Sequence, residues 1–273
     1  MLYLTKEQHL TGGIAMCLIS LQLSQNASYK LILVANRDEQ YDRPSLPAHF
    51  WPDYPDLLAG KDLSARGTWL GITKQGRIAA VTNSYLTTTQ ESDKKLSRGN
   101  LVMDYLTGSM GPNEYLDQVR QQRTDYNGFN LIVGSSDSLH HYNNILDEIS
   151  IIQTGNHAVS NATLDTPWPK VTLTKAAMAE LASSSELDEE AIFRITADRT
   201  PPSDDQLPDL PLDLPILRAV SANFIRTERY GTRSTTLILI DHSDRVTFVE
   251  RSYLQDGTSS DVRFNFQLMA EEK

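Results

Sequence analysis

The chain holds one cysteine, Cys17, and it follows a methionine, Met16. If Met16 is the initiator and is removed, Cys17 becomes the first residue and carries a thiol and a free α-amine together. A thiol of pKa ~8.5 beside an amine of pKa ~7.7 to 8.0 places nucleophile and general base in one residue. The bland alternative is a small core residue in the apolar run Cys17-Leu18-Ile19. Two features favour the first. Met16-Cys17 heads the first convincing strand pattern, whereas Met1 to Ala15 show none. In addition, Gly12-Gly13-Ile14-Ala15-Met16 can be encoded with a purine-rich stretch where a bacterial ribosome-binding site would lie. The expectation is that residues 1–16 are a leader or a misassigned start and that 17–273 form a single domain.

Other site chemistries are missing from the sequence. It has no Gly-x-Gly-x-x-Gly, no phosphate loop and no Gly-x-Ser-x-Gly. Its six histidines show no His-x-x-x-His spacing, and the adjacent His140 and His141 would point to opposite faces of a strand. Neither a metal nor a cofactor is expected. A single cysteine also excludes an intramolecular disulfide.

The elements that must position Cys17 read mostly as strands. Apolar or alternating runs rich in β-branched residues fall at 17–23, 30–35, 68–73, 77–82, 129–133, 149–153, 157–160, 234–240 and 245–250. Lys74-Gln75-Gly76 and His242-Ser243-Asp244 are turn-like links that imply hairpins and antiparallel pairing. Helical periodicity covers 101–105, 113–122, 171–182 and 187–195, the third opened by Thr166-Pro167-Trp168-Pro169. Grouped helices between hairpins predict an α+β fold. The proline-rich stretch 200–215 reads either as a solvated loop or as a lid over a site.

Composition narrows the partners. The 273 residues carry 25 basic and 35 acidic side chains, a net charge of −10 that disfavours a nucleic-acid backbone. No apolar run approaches the ~18 to 20 residues that cross a bilayer, so no membrane partner is expected. A cytoplasmic protein acting on a small-molecule substrate or ligand is the expectation; its oligomeric state is open.

One strand, Leu33-Val34-Ala35, runs straight into Asn36-Arg37-Asp38-Glu39. With Met16-Cys17, Gly67-Thr68-Trp69-Leu70-Gly71 and Thr82-Asn83, this pattern resembles the NRDE family, which includes the eukaryotic transport-and-Golgi-organisation proteins. Ser97-Arg98-Gly99, Tyr126-Asn127-Gly128-Phe129-Asn130-Leu131, Ser160-Asn161, Leu164 to Lys170 and Tyr230-Gly231-Thr232-Arg233-Ser234 extend the match over nearly the whole chain.

That family is similar to the N-terminal-nucleophile hydrolases of the penicillin V acylase and bile-salt hydrolase branch. The resemblance implies a four-layer α-β-β-α sandwich of two antiparallel sheets, with Cys17 attacking an amide and its α-amine relaying the proton. It implies that Asp38 holds the α-amine. Asn83 and Asn161 would divide oxyanion donation and N-terminal positioning, and Arg233 would be the late arginine of the site. The acylase branch usually reads Arg-x-x-Asp where this chain has Arg37 next to Asp38, so both enter one site only through a local twist. An arginine there would favour the thiolate. Trp69, Trp168 and Tyr230 are candidates for an apolar substrate pocket, against plain core packing. Two functions follow: an amidohydrolase for a small N-acyl or amide substrate, or a non-catalytic carrier of haem or lipid-like ligands.

Overall fold

The computed structural model describes residues 16–86, 95–183 and 187–269. The expected leader therefore lies, apart from Met16, outside the described residues. Two antiparallel sheets account for all the named strands among these residues. In the first, β1 (Leu18–Leu23), β2 (Tyr29–Gln40), β10 (Gly155–Val159), β11 (Tyr230–Asp241), β12 (Arg245–Tyr253) and β13 (Ser259–Gln267) run in the order β10-β1-β2-β11-β12-β13. The second runs β3 to β9 in chain order: Ser45–Trp51, Tyr54–Asp62, Leu70–Thr73, Ile78–Asn83, Phe129–Ser135, Ser138–Asn143 and Glu148–Ile152.

Alternation along each strand explains the layering, because successive side chains point to opposite faces. In β1 and β2, Ile19, Leu21, Leu23, Leu31 and Leu33 face the second sheet and meet Leu58, Ile72, Ile78 and Ile132 in a central core. From the opposite face of β2, Ile32 and Val34 pack on Met178 of α3 (Pro169–Ala182) and on Ile192 and Phe193 of α4 (Glu189–Thr196). The outer face of the second sheet is covered by Leu101, Val102 and Tyr105 of α1 (Arg98–Thr107) and by Tyr115, Leu116 and Val119 of α2 (Pro112–Gln121). The fold is thus α+β, in four layers: helices, sheet, sheet, helices.

Both expected hairpins form, with β5 paired to β6 and β11 to β12. The structure extends the reading in three places. Asn36-Arg37-Asp38-Glu39 continues β2 to Gln40, because β11 supplies backbone partners along its length. β3, β4, β8 and β13 add strands that no expected run covered. Within the proline-rich stretch, Pro215 sits in the first turn of α5 (Leu214–Ser221), where its fixed φ suits a helix start. No helix among the described residues is long and apolar enough to cross a membrane.

Candidate active site

Four strand ends of the first sheet converge. Antiparallel pairing brings the start of β1 beside the ends of β2 and β10, and the start of β11 beside the end of β2. Cys17 stands just before β1 and is half-buried. The Asp38 N–H points at its Sγ from 3.5 Å, and the Asp38 carbonyl oxygen lies 3.8 Å from the same sulfur.

No local twist brings Arg37 and Asp38 together. β2 keeps its alternation, so they leave on opposite faces. Asp38 is buried at 1% exposure and accepts the Thr232 hydroxyl at 2.5 Å, while its Oδ2 has no hydrogen-bond partner among the described residues. Arg37 turns toward the second sheet, donates to Asp62 at 3.2 Å and lies over the Trp69 ring at 4.2 Å. Trp69 is thereby separated from Trp168 and Tyr230, which share one apolar cluster around Met16. In that cluster Tyr230 Oη accepts the Met16 N–H at 2.6 Å.

The two asparagines meet through the backbone. Asn161 donates its amide to the Asn83 carbonyl at 3.0 Å, and Asn83 donates its own to the Tyr85 hydroxyl at 2.9 Å. Ser160 Oγ lies 2.9 Å from both the Cys17 carbonyl oxygen and Asn161 Oδ1, tying Asn161 to the start of β1. A buried network beneath braces this loop: Asn130 donates to the Ala162 carbonyl at 2.9 Å and accepts from Asn143 at 2.8 Å. Its Oδ1 also lies 3.0 Å from His141 Nε2. Arg233 sits at the bulge between Thr232 and Ser234 and donates to the carbonyls of Gln40 and Arg43 at 2.7 and 3.1 Å. It fastens the end of β2 rather than facing the thiol.

Lys170 belongs in this group, though no role for it was read from the sequence. It is 1% exposed and donates to the Met16 carbonyl oxygen at 2.9 Å. The available signal was its place in the Trp168-Pro169-Lys170 start of α3, where a cation opposes the positive end of the helix dipole. Gly231 is required by close approach: a Cβ there would lie 2.6 Å from the Ile225 carbonyl oxygen and 2.2 Å from Tyr41 Oη.

Electrostatics follow from burial. Desolvation pushes the Asp38 carboxyl up to about 6, against the pull of Lys170, Thr232 and Arg37. The same desolvation, with the Asp38 charge next, pushes the Cys17 thiol up to about 12 while Met16 is attached. Arg37 acts in the lowering direction but is outweighed, so the thiolate expected beside an arginine is not favoured in this form. Burial lowers the Lys170 pKa, with Asp38 and Cys17 opposing. Among the described residues no group of three or more His, Cys, Asp or Glu is placed to hold a metal.

A family model described as Transport and Golgi organisation 2 matches residues 16–255. The chain is similar to the Transport and Golgi organization 2 homolog of Mus musculus, 39% identical over 254 residues that cover 87% of this chain and 91% of the relative. It is 37% identical to the Homo sapiens Transport and Golgi organization protein 2 homolog, with the same coverage. Among solved structures it is similar to a Caenorhabditis elegans N-acylethanolamine-hydrolyzing acid amidase ortholog, at 10% identity and a TM-score of 0.41, covering 82% of this chain and 92% of that one.

Proposed function

The chain belongs to the Transport and Golgi organisation 2 family, and on that premise we propose that it is an amidohydrolase whose first working residue is Cys17. The observation that carries this reading is the pair of buried charges, Asp38 and Lys170, set around the residue 16–17 peptide unit. Burying two ionisable groups costs several kcal/mol each before their interactions return anything, and the start of a strand needs neither. A site that handles an amine and a carbonyl needs both.

In this reading Sγ attacks the carbonyl carbon of a small N-acyl or amide substrate, and the Cys17 α-amine takes the thiol proton. The tetrahedral intermediate collapses as that proton passes to the departing amine. Water then cleaves the thioester and restores the thiol. Asp38, with one carboxylate oxygen unpartnered among the described residues, orients the α-ammonium. Asn83 is partly exposed and has a second amide hydrogen without a partner among the described residues, which suits it to the developing oxyanion. Asn161, through Ser160, holds the Cys17 backbone.

The test is a protein beginning at Cys17, assayed on N-acyl amino acids and cyclic amides. Asn83→Ala is expected to lower kcat and kcat/KM together by about a hundredfold or more with little change in KM, since the oxyanion exists only in the transition state. Cys17→Ala is expected to abolish turnover. Amide hydrolysis that survives both substitutions would remove these residues from any mechanism.

A carrier for haem or lipid-like ligands is the second reading, favoured by the raised thiol pKa and the apolar cluster around Met16. It predicts tight ligand binding unaffected by Cys17→Ala, without amide cleavage. In either reading the partner is a small molecule handled in the cytoplasm.

A further inference from the structure

Residue 16 is held as a bound group would be. Met16 is fully buried, against Val220 and Ile225 with Trp168, Leu212, Ile216 and Tyr230 around it. Its N–H donates to Tyr230 Oη at 2.6 Å, and its carbonyl oxygen accepts from Lys170 Nζ at 2.9 Å. A neutral donor would satisfy a main-chain carbonyl without burying a charge. Lys170 instead places an ammonium there, and that ammonium makes no other hydrogen bond among the described residues.

The carbonyl so held is bonded to the nitrogen of Cys17, and attack on it by Sγ would close a five-membered ring. The oxygen on Lys170 therefore belongs to a carbon that adjoins both the future α-amine and the thiol. In a protein beginning at Cys17, a substrate carbonyl approaching Sγ meets the same ammonium. We propose that the place of Met16 is the acyl subsite, and that its occupant is the acyl part of an N-acylated α-amino acid with an apolar side chain of about methionine's size. The substrate's carbonyl oxygen lies on Lys170, its own amide N–H on Tyr230, and its side chain against Val220 and Ile225.

Each contact discriminates. A plain acyl chain fills the apolar wall but brings no N–H to the buried Tyr230 oxygen, which then loses a hydrogen bond. A free α-amino acid brings a second ammonium next to Lys170 in a buried site, where like charges repel strongly. Acylation of that amine removes the charge and keeps the N–H. The chemistry is that of the proposed hydrolysis: Sγ–C forms, the C–N bond to the departing amine breaks, and water releases the N-acyl amino acid as its carboxylate.

This assignment rests on the reading of Cys17 as first residue and nucleophile, and its test separates the two. Every described strand and helix begins after residue 16, so a protein beginning at Cys17 contains the sequence of each of them. N-Acetyl-L-methioninamide and hexanamide are compared in two assays: protection of Cys17 from iodoacetamide, which needs no turnover, and release of ammonia. The expected result is protection by N-acetyl-L-methioninamide at a concentration at least tenfold below that of hexanamide. Tyr230→Phe is expected to shrink that preference to less than threefold, and Lys170→Met to weaken protection by both. In the full 273-residue chain, where Met16 fills the place, N-acetyl-L-methioninamide should give no protection. Equal or better protection by hexanamide, or none by either, overturns the subsite. Protection without ammonia release keeps the subsite and sinks hydrolysis; ammonia from hexanamide without the preference does the reverse.

Discussion

Thr232 and Asp38 stand opposite each other across β11 and β2, and the threonine hydroxyl donates to the carboxylate at 2.5 Å. This pairing supports a carboxyl group whose pKa burial has raised to about 6. A carboxyl that holds its proton more tightly when folded stabilises the fold at pH values below its unfolded pKa of ~3.9 and loses that contribution as pH rises through its folded value. Stability should therefore fall between about pH 4 and pH 6, by up to roughly 3 kcal/mol from this group. Urea unfolding across that range should show the slope, and Asp38→Asn should flatten it. Thr232→Val, which removes the donor, should move the slope to higher pH.

The thiol provides a second measurement. With Met16 attached, Cys17 is pushed up to about 12 by burial and by the Asp38 charge. Only the thiolate is alkylated, so at pH 8 the native full-length chain should react with iodoacetamide at least about tenfold more slowly than the urea-unfolded chain. A native rate equal to the unfolded one would refute this account of the thiol's surroundings.

Asp165 behaves oppositely to Asp38. Burial pushes its carboxyl up, but it accepts from Lys175 at 2.6 Å and from the Ala158 N–H at 3.0 Å and lies 2.6 Å from His157 Nδ1, and together these partners outweigh burial and hold it down to about 2. A depressed carboxyl contributes stability above its unfolded pKa and loses it as pH falls through the folded value. Asp165→Asn, which tolerates the left-handed φ of 59° at this position, should cost about 1–2 kcal/mol at pH 7 after allowance for solvent screening. The cost should shrink as pH falls from 4 toward 2, as read by thermal unfolding.

Asn130 is 1% exposed; it joins β7 to the 160–162 loop through the Ala162 carbonyl and also bonds Thr82 of β6 and Asn143 and His141 of β8. Asn130→Leu would strip one bond each from Thr82, Asn143 and Ala162, which keep others, and leave His141 Nε2 without its partner, at about 1–3 kcal/mol for a buried group left unpaired. We expect a loss of at least about 2 kcal/mol in chemical denaturation. Turnover per folded molecule should also fall, because Ser160 and Asn161 lose their brace.

What could be read along the chain was what local pattern dictates. Period-two alternation and turn residues marked nine of the strands, and the prolines before Lys170 marked the start of α3. The spaced motifs from Cys17 onward identified the family, a reading the family match over residues 16–255 bears out. β13 carries its own period-two signal in Val262, Phe264 and Phe266, which pack on the core. β3 and β4 begin in mixed polar and proline-containing runs, and β8 holds His141 and Asn143, polar residues whose burial depends on the distant Asn130 and Ser84.

Only the tertiary structure decided which polar residues share a space. Asp38, Lys170 and Thr232 lie far apart in the chain, and each alone reads as an ordinary strand or helix-start residue. Sheet pairing brings Asp38 to Thr232, and the packing of α3 on β1 and β10 delivers Lys170 to Met16. The same pairing sends Arg37 to Asp62 and Trp69, and Arg233 to the end of β2. Alternation is a property of neighbouring residues and can be seen in any short window. The cost of burying a charge is set by what surrounds it, and those surroundings exist only once strands and helices distant in sequence have closed around it.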